Sequence, residues 1–198
     1  MKLAFLASNN GSGLRAIVAA VEAGDLAARP VLVVSNRKAA PALAFARARG
    51  IETLVIPTTA DPAGADARLA AALNDVGADL VILSGYLRKL GPATLKAFPG
   101  QILNIHPALL PKYGGQGMYG RRVHEAVVAA GERESGATVH LVDDQYDHGA
   151  ILAQARVPIE PGDTAADVEK RVTTTEPELF VQTLQRIAMG ELRLSEIA

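Results

Sequence analysis

Five short apolar runs, KLAFLAS, PVLVVSN, ETLVIPT, DLVILSG and QILNIHP, punctuate the first half of the chain, and each gives way to turn-forming residues. They lack the strict polar alternation of a half-solvated strand, so they read as five strands buried on both faces. Between them lie GLRAIVAAVEAG, APALAFARARG and ADARLAAALNDVG, rich in Ala, Leu and Arg and closing with Gly, as helices commonly do. Strands alternating with helices predict an α/β fold, and right-handed crossovers then give a parallel sheet covered on both faces. In such sheets ligands gather beyond the carboxyl ends of the strands.

The texture changes after the fifth strand. A loop, GGQGMYG, leads into RRVHEAVVAAG, which reads as a helix, and ESGATVHLVDDQYDHGAILAQARVPI reads as two β-rich runs joined by an acidic turn. Paired as a hairpin at one edge, they make the sheet mixed. From Thr164, TAADVEKRV opens with a capping threonine and presents Val168 and Val172 on one face, while ELFVQTLQRIAMG presents Phe180, Leu184 and Ile187. Between them TTTEP carries Pro177, which predicts a kink or break. The fold class expected is a single-domain α/β fold with a mixed, mostly parallel twisted sheet flanked by helices on both faces.

Size and composition narrow the functions. The 198 residues suffice for one well-buried core. With 49% hydrophobic and 21% charged residues and a formal net charge of -1, the bulk numbers favour neither disorder nor a polyanion-binding surface, so no nucleic-acid partner is expected. No apolar run reaches about 18 residues, and the opening MKLAFLAS is cut short by Asn9, Asn10 and Gly11, too early for a signal-peptide core. A cytoplasmic protein without a membrane partner is the expectation. Cysteine is absent, which excludes disulfides, thiolate metal sites and a Cys nucleophile.

Three stretches could carry chemistry. In SNNGSGLRAI, directly after the first strand, the backbone N–H groups of Gly11, Ser12 and Gly13 would face an anion at a helix start. The plainer alternative is that Ser12 caps the helix and Gly11 makes the turn. In NIHPALLPKYGGQGMYG, Asn104 and His106 sit two residues apart at the end of the fifth strand, on one side of it. An amide can donate to a developing oxyanion, and an imidazole near its ordinary pKa of about 6.5 can give or take a proton; a structural pair satisfying the next loop is the alternative. In DDQYDHG, the carboxylates of Asp143, Asp144 and Asp147 crowd a turn, and one brought to His106 would complete an acid/base set; a surface turn or a Mg or Ca site are the rivals. Of the other histidines, His124 reads as capping or packing, His140 as supporting the site from behind, and His148 as facing solvent.

Taken together, NGSG after the first strand, SGYLRKL after the fourth, NIHPALLPKYGGQGMYG and SGATVHLVDDQYDHGAILAQ occur in an order that resembles the phosphoribosylglycinamide formyltransferase family over essentially the whole chain. The resemblance implies one formyltransferase domain over 1–198, with a phosphate and ribonucleotide half at 1–100 and a catalytic and folate half at 101–198. It implies that Asn104, His106 and Asp147 are catalytic, and that Asn10, Gly11, Ser12 and Gly13 hold the substrate 5′-phosphate. Gly13 stands where the family commonly has Asn, which removes a side-chain contact. Glu176 matches a carboxylate that binds ribose hydroxyls. Tyr86, Leu87, Arg88, Lys89 and Leu90 would form one wall of the folate pocket, and Val142, Asp143 and Asp144, with the rest of the loop to Asp147, the other. The co-substrate implied is 10-formyltetrahydrofolate, without a metal. The partners are small molecules, with a homodimer left open. Methionyl-tRNA formyltransferases and formyltetrahydrofolate deformylases share the Asn, His and Asp set but normally carry a further domain that 198 residues do not accommodate. A formyltransferase acting on a sugar-nucleotide amine and a non-catalytic nucleotide or phosphate-binding module are the remaining alternatives.

Overall fold

The computed structural model describes residues 1–197. Seven strands, β1 (Lys2–Leu6), β2 (Arg29–Ser35), β3 (Glu52–Val55), β4 (Leu80–Leu83), β5 (Ile102–His106), β6 (Glu134–Leu141) and β7 (Ile151–Pro158), form one sheet in the order β3-β2-β1-β4-β5-β6-β7. The first five strands are parallel, while β6 runs antiparallel to β5 and β7 antiparallel to β6. The helices are α1 (Ser12–Ala23), α2 (Pro41–Arg47), α3 (Pro62–Asp75), α4 (Pro92–Ala97), α5 (Arg121–Ala129) and α6 (Ala165–Ala188). The expected mixed α/β sheet with an edge hairpin is therefore present.

Alternation along each strand divides the core in two. Leu3, Phe5, Val33, Ile82 and Leu103 face α1, α2 and α6, where they meet Leu14, Ile17, Leu43, Val168 and Phe180. Ala4, Leu6, Leu32, Val34, Val81 and Ile102 face the other way, onto Ala65, Leu69 and Leu73 of α3 and Phe98 after α4. Strand β3 departs from the expectation of burial on both faces, because it lies at the sheet edge with Glu52 and Leu54 exposed.

Two helices also differ from expectation. The stretch PATLKA forms α4, whose start is capped from another helix: Asp66 of α3 accepts from Ala93 N–H at 2.7 Å and from Thr94 Oγ1–H at 2.6 Å. No local signal announces a cap supplied 27 residues away. Helix α6 runs unbroken through Pro177. The cost of one missing N–H is offset by burial on both sides of the proline, of Val168 and Val172 before it and Leu179, Phe180 and Leu184 after it. Thr164 opens this helix with a reciprocal capping box to Asp167, as its sequence predicts.

The strand order reverses around β1 and β4, which is the topological switch point of the sheet. The carboxyl ends of β1, β4 and β5 therefore stand side by side, and all three predicted stretches leave from that rim or fold back toward it. No described helix is long and apolar enough to cross a membrane.

Candidate active site

Strand β5 delivers Asn104 and His106, and its antiparallel partner sets what faces them. In the register, Asn104 lies opposite His140 and His106 opposite Thr138. Cross-strand neighbours on one face stand close enough to touch. The Asn104 Nδ2 amide accordingly donates to His140 Nε2 at 3.1 Å, while His140 Nδ1–H donates to the Leu141 carbonyl at 2.8 Å. Asp147 Oδ1 also approaches His140 Nε2, at 3.5 Å. With its Nδ1–H given to Leu141, His140 accepts from Asn104 at Nε2, the nitrogen that also faces Asp147.

His106 is only 3% exposed. Its Nε2 lies 2.8 Å from the Tyr113 carbonyl, which can only accept, so Nε2 carries a proton. Nδ1 points the other way, to Asp147 Oδ2 at 3.4 Å. Burial pushes the imidazole below its ordinary pKa, against the opposing pull of Asp147 and the Tyr113 carbonyl, so the resting ring is neutral at pH 7. An imidazole near its ordinary value, as the sequence suggests, is thus corrected: desolvation outweighs the carboxylate.

Asp147 reaches the pair from the β6–β7 loop. It adopts φ 59, and Oδ2 accepts from Gly115 N–H at 3.0 Å. Burial alone would raise its carboxyl, but the nearby His140 ring, the charge of His106 and the Gly115 N–H together hold it below the ordinary carboxylate value. Two glycines permit this approach. A Cβ at Gly149 would lie 1.8 Å from the Leu141 carbonyl oxygen, and one at Gly114 would lie 2.6 Å from Leu110 Cδ2 and 3.1 Å from Asp147 Cβ. Thr138 steadies the chain after β5: its Oγ1–H donates to Ala108 O at 2.7 Å, and the same oxygen accepts from Leu110 N–H and Gln154 Nε2–H.

The loop after β1 is built differently. Gly11, at φ 68, precedes α1 as its cap with no side-chain hydrogen bond, and Ser12 is the first helical residue, not the cap. Leu14 N–H is taken by Ser84 Oγ at 2.9 Å. Among the described residues the Ser12 and Gly13 N–H groups have no protein acceptor. The helix start thus presents free donors and the positive end of its dipole. Asn10 and Ser12 are exposed, Gly11 and Gly13 buried. A Cβ at Gly13 would stand 3.2 Å from Ser84 Oγ and 3.6 Å from Phe180, so α6 abuts the loop here. Glu176 lies one helical turn before Phe180 on α6. It is half-buried, has no hydrogen-bond partner among the described residues, and burial pushes its carboxyl up to about 7.

Of the expected folate walls, Leu87, Arg88 and Lys89 are exposed, Tyr86 is half-buried and Leu90 buried. Burial raises the Tyr86 phenol pKa. The Leu87 N–H donates to Ser8 Oγ at 2.8 Å, which anchors this stretch to the end of β1. Opposite it, Val142 is half-buried while Asp143 and Asp144 are exposed. The two walls meet where Lys89 Nζ lies 5.5 Å from the Tyr146 ring centroid. A cavity of about 380 Å³ opens behind the first wall, between Tyr86, Arg88, Lys89 and α3.

The structure therefore brings Asn104, His106 and Asp147 together, and sets Asn10 to Gly13 apart from them, at the end of β1 with β4 between. Asp143 and Asp144 stay on the outside of their turn, and among the described residues no three His, Asp or Glu side chains converge as a metal would require. His148 is exposed, and His124 is 2% exposed with its Nδ1 lacking a partner among the described residues. The residues that sequence reasoning passes over are Tyr113 and Gly115, which act through backbone atoms and so carry no side-chain signature. His140 contacts Asn104 and Asp147, so it supports the pair from behind as expected.

The Formyl transferase family model matches residues 1–184. The chain is 39% identical to the chloroplastic phosphoribosylglycinamide formyltransferase of Arabidopsis thaliana, over 98% of this chain and 68% of that protein. It is 36% identical to the phosphoribosylglycinamide formyltransferase of Escherichia coli, over 100% of this chain and 92% of that one. The solved phosphoribosylglycinamide formyltransferase of Coxiella burnetii, in complex with CHES, superposes with a TM-score of 0.88 at 36% identity, covering 96% of this chain and 88% of the other.

Proposed function

The chain belongs to the formyl transferase family, and on that footing we propose that it passes the formyl group of 10-formyltetrahydrofolate to the amine of glycinamide ribonucleotide, a step of de novo purine synthesis. The observation that carries this reading is the meeting of Asn104, His106 and Asp147 at the carboxyl end of β5, beside a helix start with free N–H donors. A phosphate at α1 and a reacting carbonyl at β5 suit a phosphorylated amine and a formyl donor bound along one rim.

In this mechanism the substrate amine attacks the formyl carbon. A C–N bond forms, the carbonyl electron pair moves onto oxygen, and the carbon becomes tetrahedral. The Asn104 amide turns from His140 or shares its second N–H to stabilise that oxyanion. The attacking nitrogen becomes positive and must lose a proton, while the departing folate nitrogen must gain one. Neutral His106 offers its Nδ1 lone pair on the side of Asp147, so it accepts a proton there and becomes an imidazolium bracketed by the carboxylate and the Tyr113 carbonyl. Asp147, kept ionised, stabilises that cation and directs the proton to the leaving nitrogen. The tetrahedral species then collapses, the bond to the folate nitrogen breaks, and formylated ribonucleotide and tetrahydrofolate separate. Gly11, Ser12 and Gly13 hold the phosphate, Asn10 borders it, and Glu176 accepts from the ribose hydroxyls. The Tyr86–Leu90 and Val142–Asp147 segments enclose the pterin.

The test is a formyl-transfer assay of the purified protein with both substrates, read by the absorbance of the folate product. Turnover with glycinamide ribonucleotide, and none with a sugar-nucleotide amine, is expected. Turnover only with the sugar-nucleotide amine would overturn the acceptor assignment, and stabilisation by ribonucleotide without any transfer would leave a binding module.

A further inference from the structure

Behind His106 the chain adopts a conformation that needs support. Tyr113, whose carbonyl accepts the His106 Nε2–H, sits at φ 57, a left-handed backbone that side-chain-bearing residues avoid. Its phenol O–H donates to Glu132 Oε1 at 2.9 Å, and the same oxygen accepts from Lys112 Nζ–H at 2.8 Å. Glu132 follows the end of α5, beyond the Gly131 turn, so the helix end is tied to the loop beneath the imidazole. Two forces compete over the ring. Asp147, beside Nδ1, favours a neutral tautomer protonated there; the Tyr113 carbonyl favours one protonated at Nε2.

We infer that Glu132 is a positioning residue: through the Tyr113 phenol it holds the turn whose carbonyl decides which nitrogen of His106 carries the proton. With the turn held, Nδ1 keeps its lone pair toward the site and can accept the substrate's proton. With the turn released, Asp147 captures an Nδ1–H and the ring offers no base on that side. Glu132 itself lies outside the reacting atoms and exerts its effect through Tyr113. The inference rests on the catalytic reading of His106 given above, and it adds a second, peripheral carboxylate to the control of that ring.

The decisive measurement is the tautomer of His106, read from side-chain ¹⁵N shifts of labelled protein without substrate, together with steady-state kinetics. Wild type should show Nε2–H. Tyr113→Phe and Glu132→Ala should move the population toward Nδ1–H and lower kcat by about three- to tenfold, with the KM for ribonucleotide unchanged. The acid limb of their pH profiles should move to lower pH, because the Tyr113 carbonyl favours the protonated ring. Glu132→Gln, which keeps an acceptor for the phenol, should restore both tautomer and kcat. Retention of Nε2–H with kcat within twofold in Tyr113→Phe and Glu132→Ala would overturn the inference, as would a Glu132→Gln variant no better than Glu132→Ala. Turnover retained by His106→Ala would instead defeat the catalytic reading, while the tautomer spectra would still decide whether the clamp exists.

Discussion

The loop after β1 and the end of β5 lie two strands apart on one rim of the sheet, yet they present their polar groups from different parts of the chain. At β1 the free donors are backbone N–H groups of Ser12 and Gly13 at the start of α1, where Asn10 and Ser12 are exposed and Gly11 and Gly13 buried. At β5 the contacts come from buried and half-buried side chains drawn from β5, β6 and the β6–β7 loop, each already engaged with another. A backbone seat needs only a turn and a helix, so it tolerates side-chain change. A side-chain cluster depends on every member and on the tertiary contacts that hold it.

This contrast is best broken by removing the member with the most at stake. His106→Ala should lower kcat by roughly two orders of magnitude or more while ribonucleotide affinity, measured by calorimetry, stays within a few-fold of wild type. A parallel loss of affinity would mean that the two regions are not separable. Asp147→Asn keeps the shape and removes the charge, and should lower kcat by about ten- to a hundredfold. Its pH profile should change too. Asp147, held below its ordinary value, supplies its charge down to acidic pH, and the amide cannot.

A third test concerns Glu176, which the proposed function sets against the ribose and which is half-buried. Its folded pKa of about 7 exceeds the unfolded value of about 4.5, so the native state holds a proton that the unfolded chain releases; stability therefore falls as pH rises between those values. Glu176→Gln should raise stability at pH 8 by on the order of 2 kcal/mol and leave it unchanged below pH 4, measured by denaturant melts at the two pH values. Equal melts at pH 8 would show that the carboxylate is solvated. The smallest effect is expected at Gly11, where Ala would meet Ala42 Cβ at 3.2 Å on a left-handed backbone. Gly11→Ala should cost about 1–2 kcal/mol in stability and raise the KM for ribonucleotide, with kcat nearly unchanged. A fall in kcat larger than the rise in KM would tie the β1 loop to the chemistry.

The same contrast explains what could be read from the residues alone. Apolar runs and Gly-closed helices announce β1 to β5 and α1 to α3, because those elements are dictated by local pattern. Asn104 and His106 were visible as a strand-end pair, and the acidic turn as a source of Asp147. The pattern does not say how DDQYDHG turns back over β5, since that follows from the β5–β6 register and from Gly114 and Gly149, which make room for it. Helix α4, capped by Asp66 from α3, and the continuity of helix α6 through Pro177 carry no local signal because tertiary contacts outweigh local preference there. The depressed pKa of His106 is likewise a property of burial, which no spacing reveals.

The hairpin of β6 and β7 supplies His140 and Thr138 and suspends Asp147 between its strands. Because it is the last part of the sheet to leave the ribosome, a nascent chain can dock β1, α1 and the following units before any proton-handling group beyond β5 has been made. On the proposed reading, the groups that handle the proton are thus completed late in synthesis, after the helix start that would seat the phosphate.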